Sequence, residues 1–105
     1  MNAPIRITVV RRTLNRDLLE SHADSVWPAC QWLEDGQQFI CRDWVQQPQG
    51  FCSVAWGDIQ KYVLTLARGG NFNGTREGTF VTCCTDGFRP VIFLLERITE
   101  PADSP

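Results

Sequence analysis

The sequence is short of histidine (His22 alone), of lysine (Lys61 alone) and of long apolar runs, the longest being the five residues Val91 to Leu95. A helix needs about 20 apolar residues to cross a bilayer, so no membrane span is expected. Positive charge is also lacking: ten Lys and Arg against twelve Asp and Glu give a net charge of −2. Nucleic-acid binding through bulk charge is therefore not expected. The segment Met1 to Arg6 has none of the apolar stretch of a secretory signal, which leads to the expectation of a cytoplasmic protein. Internal repeats and low-complexity stretches are missing too. What is present is ordinary for one folded domain: 105 residues, 43% apolar and 21% charged.

Charge is unevenly placed. Residues 1–16 hold four arginines and no acid, whereas residues 17–43 hold six acids and one arginine. These blocks offset one another if they pack together, the simplest role for such a distribution.

Hydrophobic spacing outlines the elements. Ile5, Ile7 and Val9 alternate as in a half-buried strand, and residues 15–22 suit a short helix with Asn15 as N-cap. From Asp24 to Gly36 no period holds, and Glu34-Asp35-Gly36 has turn chemistry. Gln37 to Asp43 is expected as a strand with Phe39 and Cys41 on one face. The strongest helical pattern runs from Ser53, a candidate cap, to Arg68, with Ala55, Ile59, Val63 and Leu66 on one side and Gly69-Gly70 as its stop. Thr79 to Cys84 and Val91 to Ile98 are expected as strands joined in a hairpin through Asp86-Gly87. The second is apolar on both faces and should lie centrally in the sheet. The expected architecture is α+β. A single domain over 1–98 has about four mainly antiparallel strands packed against one long helix plus a short one, and 99–105 forms a loose tail.

Five cysteines cannot all pair within one chain, and in a reducing compartment they are expected as thiols or metal ligands. Their spacings, 30–41–52–83–84, contain no Cys-x-x-Cys knuckle. Position separates them. Cys41 lies mid-strand among apolar neighbours and suits a core residue. Cys30, Cys52 and Cys84 fall at element ends or in loops, where distant segments converge. Cys52 is placed beside a helix N-terminus, whose partial positive charge favours thiolate. Cys83 and Cys84 should point to opposite faces, so one packs inward while the other faces a site. Asp86 and Arg89 flank the turn. They suit local turn bonding and an ion pair, or a proton acceptor and an anion clamp bordering Cys84. His22 suits a solvent-facing position. Trp27, Trp32 and Trp44 sit in or beside irregular segments, where core packing, a ligand pocket or a subunit contact all remain open.

Gly50-Phe51-Cys52 with Ala55-Trp56, then Gly69-Gly70-Asn71-Phe72, then Cys83-Cys84-Thr85-Asp86-Gly87-Phe88-Arg89-Pro90-Val91 resemble a family of small prokaryotic proteins with no assigned function. The family pattern has an early strand, a Cys-Pro segment, a Gly-Phe-Cys helix start and a Cys-x-Asp-Gly-x-Arg-Pro-Val hairpin. The likeness runs from Ile5 to Ile98, and it departs at Pro28-Ala29-Cys30-Gln31, where no proline follows the cysteine. The resemblance marks Cys52, Cys84, Asp86, Arg89 and Pro90, and it supplies no reaction.

The leading expectation is a thiolate site in which Cys30, Cys52 and Cys84, completed by Cys83 or water, hold zinc or iron, with Asp86 and Arg89 at its border. The alternative is an assembly module whose cysteines only pack and whose tryptophans meet a protein partner or a second copy. A thiol-based redox or nucleophilic enzyme is the third reading.

Overall fold

Six elements follow one another in the computed structural model, which describes residues 2–99. Strand β1 (Ile5–Arg12) buries Ile5, Ile7 and Val9 and turns the residues between them outward. This is the period of two that a pleated strand with one buried face requires. Helix α1 (Arg16–His22) follows, with Asn15 at its N-cap position. The Asn15 side chain makes no capping bond; its amide nitrogen instead donates to the carbonyl of Gly87, 2.7 Å away, which turns the side chain toward the segment between β3 and β4. Strand β2 (Gln38–Cys41) buries Phe39 and Cys41 and is shorter at both ends than its apolar pattern suggests.

Helix α2 (Ser53–Ala67) buries Ala55, Trp56, Ile59, Val63, Leu66 and Ala67, a stripe set by the 3.6-residue turn. At 15 residues it has the ordinary length of a globular helix and is not the long one expected. Its start is shifted as well. Cys52, in extended conformation, holds the N-cap position, and Ser53 is already the first helical residue. The helix ends at Ala67 with Arg68 as C-cap, and the turn that follows requires glycine at both of the next positions. Gly69 takes a left-handed φ of 90°, and a Cβ at Gly70 would stand 2.8 Å from Thr65 Cγ2.

Strands β3 (Thr79–Cys83) and β4 (Val91–Arg97) complete an antiparallel sheet of order β2-β1-β4-β3. β4 is central, as its two apolar faces require. The hairpin connection is looser than an Asp-Gly turn implies. Residues 84–90 form a loop in which Asp86 Oδ1 accepts the N–H groups of Phe88 (3.0 Å) and Arg89 (3.3 Å), and Gly87 takes no positive φ. The aspartate side chain, not a left-handed glycine, shapes this connection.

The result is a single small α+β domain with two helices and a four-stranded antiparallel sheet. α2 packs across one sheet face, where Ile5, Ile7, Val9, Phe39, Phe93 and Leu95 meet it in one core. Each such side chain contributes about 1.5–3 kcal/mol by leaving water. On the opposite face Val10, Ile40 and Val81 are exposed. The opposite charge blocks of the early chain meet where Arg12 donates to Asp35 Oδ1 from its backbone N–H (2.8 Å) and from Nε (3.1 Å). Those two bonds, the backbone one first, hold the Asp35 carboxyl below its usual range. Among the described residues no helix is long and apolar enough to cross a membrane. The expected tail over 99–105 lies, apart from its first residue, outside the described residues.

Candidate functional site

The irregular segment between α1 and β2 carries Cys30. It is pinned on its far side by Leu33, which is buried in the core, and by Arg12, whose Nη1 donates to the Cys30 carbonyl at 3.2 Å. Cys52 arrives from the start of α2. The neighbouring Phe51 ring roots that turn, packing edge-on against Phe39 at 5.0 Å and tilted against Phe93 at 5.4 Å. Cys84 arrives from the first residue after β3, held by a backbone bond from its N–H to the Val91 carbonyl at 3.1 Å.

These three sulfur-bearing residues, far apart in sequence, line one cavity of about 120 Å³ together with Trp32, Leu33, Val54, Ala55, Asp86 and Val91. Cys30, Cys52 and Cys84 are therefore brought to one shared pocket. Each is partly buried, and each is a free thiol. Cys83 does not join them. It is exposed and pairs across the ladder with Ile92, on the sheet face away from α2, so strand alternation turns it away from the pocket. Cys41 behaves as core: it is 3% exposed, and its thiol donates to the carbonyl of Asp43 at 3.4 Å. Burial pushes the Cys41 thiol above its usual range.

The sulfurs of the pocket have different partners. Cys84 Sγ accepts the backbone N–H of Val91 at 3.3 Å, a donor placed where an electron-rich sulfur can use it. Cys52 makes no side-chain capping bond, so its thiol is not committed to the helix end. Beside it opens a second cavity of about 320 Å³ lined by Trp32, Phe51, Cys52, Ser53 and Val54. Trp32 is 76% exposed and Val54 66%, so the rim of the pocket is apolar and open to solvent.

The border residues carry local duties. Asp86 holds the turn N–H groups with one oxygen, and with the other it accepts Arg89 Nε at 3.2 Å. Arg89 is thus an ion-pair partner within the loop, and it does not line the thiol cavity. His22 is exposed beside Leu18, Gly87 and Phe88, away from the thiols. Among the described residues no group of three or more His, Cys, Asp or Glu side chains is arranged to hold a metal ion. For Trp32 a ligand pocket was one of three roles left open by the sequence; Leu33 and Val54 as pocket walls were not readable from spacing, since Leu33 sits in the segment without a period and Val54 lies outside the buried stripe of α2.

No protein-family model matches the chain, and no curated protein or solved structure matches it.

Proposed function

We propose that the chain is a thiol-based binding protein whose pocket captures a thiophilic ligand through Cys30, Cys52 and Cys84. A soft metal ion, zinc or iron, is the ligand that such a donor set suits. The observation that carries this reading is the convergence of three free thiols from three separate segments on one small cavity. Thiolate sulfur binds zinc and iron well, and three protein ligands leave a fourth position for water or a small ligand. Because the side chains are not already arranged as a ligand set, the sulfurs must swing toward the ion as it binds. A bound ion would tie the Cys30 segment, the start of α2 and the end of β3 together and offer Lewis-acid chemistry at its open position.

The test is metal analysis of untagged protein together with titration by cobalt(II), whose thiolate bands report sulfur ligation. Near-stoichiometric zinc or iron, or a cobalt–thiolate band lost in Cys30→Ser, Cys52→Ser and Cys84→Ser but kept in Cys83→Ser, supports the reading. Metal-free protein with no such band sinks the metal form of it.

A second reading is supported by the apolar cavity beside Cys52: a single thiol reacts with an organic electrophile whose apolar part lies against Trp32 and Val54. Alkylation rates measured across pH separate the two. One cysteine far faster than the others, in protein that takes up no metal, favours the nucleophile.

A further inference from the structure

Cys30 sits in a stretch with no helix or strand to hold it, yet it must be placed within reach of Cys52 and Cys84 for any joint use of the three sulfurs. On its far side the anchors are Leu33 and Arg12. On its near side Asp24, Ser25, Val26 and Pro28 are all exposed, and Trp27 is the half-buried aromatic among them. The Trp27 ring meets two residues of the β3–β4 loop. Phe88 lies at 6.0 Å in a tilted ring contact, and the Arg89 guanidinium carbon lies 4.8 Å over the ring. Arg89 is in turn fixed by Asp86, which itself lines the thiol cavity two residues beyond Cys84. A continuous path therefore runs from Cys84 through Asp86, Arg89 and Trp27 to the segment that bears Cys30.

We propose that Trp27 and Arg89 are positioning residues that lock the Cys30 segment onto the β3–β4 loop and so set the distance between Cys30 and the other two pocket thiols. This rests on the reading of that pocket as a joint thiol site. Arginine suits the task where lysine does not. Its planar guanidinium stacks on an indole while Nε still faces a carboxylate, whereas an ammonium offers a point charge and no plane. The guanidinium pairs with Asp86 through Nε while its carbon lies over the Trp27 ring.

Dibromobimane, which becomes fully fluorescent only after both its arms alkylate thiols, reads the arrangement directly. Each arm forms a carbon–sulfur bond and releases bromide, and the bridged peptides identify the pair. In a Cys83→Ser background, bridging of Cys30 to Cys52 or Cys84 is expected in the parent protein. Trp27→Ala and Arg89→Lys should slow it about ten- to a hundredfold, the scale on which small misplacements of reacting groups act. Trp27→Phe, which keeps a ring under the guanidinium, should restore most of the rate. The Cys52–Cys84 bridge involves neither end of the Cys30 segment, so its rate should hold in Trp27→Ala. Equal loss of both bridges there would mean general loosening and would overturn the positioning role. An unchanged Cys30 rate in Trp27→Ala and Arg89→Lys would overturn it as well, while leaving the shared pocket standing. Absence of any Cys30 bridge in the parent protein would overturn the pocket itself and the lock with it.

Discussion

Cys41 and Cys52 each lie close in sequence to one of two buried phenylalanines, Phe39 and Phe51, that pack on one another, yet their sulfurs are placed for opposite ends. Cys41 belongs to a strand whose alternation turns it into the core, and its thiol satisfies itself on a carbonyl of the chain immediately after it. Cys52 sits at the junction of a loop and a helix, partly buried, with no bond at the cap and two cavities against its side chain. A thiol in a strand has its direction set by that strand, which turns Cys41 into the core and Cys83 out of it. A thiol at an element's end meets segments from elsewhere, and here those segments bring Cys30 and Cys84.

The comparison breaks most forcefully at Phe51, which serves both regions by packing on Phe39, Trp56 and Phe93. Phe51→Ala should cost about 3–5 kcal/mol in denaturant unfolding, the usual range for removing a buried aromatic ring. It should also raise alkylation of Cys41 and Cys52 together. If only Cys52 becomes more reactive, the pocket is not rooted in the core.

Substituting the two cysteines should then give changes of opposite sign. Cys41→Ser replaces a thiol that donates to the Asp43 carbonyl by a more polar hydroxyl on a shorter bond in a buried site, and should cost about 1–3 kcal/mol, with the capture of cobalt(II) unchanged. Cys52→Ser puts a preferred capping residue at the N-cap of α2 and should stabilise the fold by roughly 0.5–1 kcal/mol while weakening capture. Two losses of stability with capture intact in both variants would place Cys52 in the core beside Cys41.

The smallest effects are those of pH. Because burial raises the Cys41 thiol, the folded state holds its proton where the unfolded chain has lost it. The resulting stability is fully present below the unfolded thiol pKa of about 8.5 and is lost as pH rises through the folded value. Cys41→Ala should remove that alkaline slope. Asp35 has the opposite sign: its carboxyl is lowered by Arg12, so its contribution is present above the unfolded carboxylate pKa and lost as pH falls through the folded one. Its exposure keeps this acid effect slight, and Asp35→Asn should flatten it in acid titrations followed by circular dichroism.

Local pattern was enough for much of the architecture. The alternation of Ile5, Ile7 and Val9, the stripe Ala55, Ile59, Val63 and Leu66, and the doubly apolar β4 each record a face that must leave water, and a face is a property of neighbours in sequence. The core role of Cys41 and the division between Cys83 and Cys84 follow from the same period, although the period alone does not say which of the pair turns inward. Cap and turn chemistry was less legible. Ser53 looked like the cap and Asp86-Gly87 like a tight turn, because a side chain's hydrogen-bonding capacity does not reveal where its partner will be. Asn15 shows why: its amide left the helix end for a carbonyl in the β3–β4 loop. Only the tertiary structure decided that Trp32 and Val54 would rim the pocket, that Arg89 would lie over Trp27, and that three distant cysteines would line one cavity without standing ready as a ligand set. Those arrangements depend on distances between segments that the sheet and α2 impose, and no spacing along the chain encodes a distance across it.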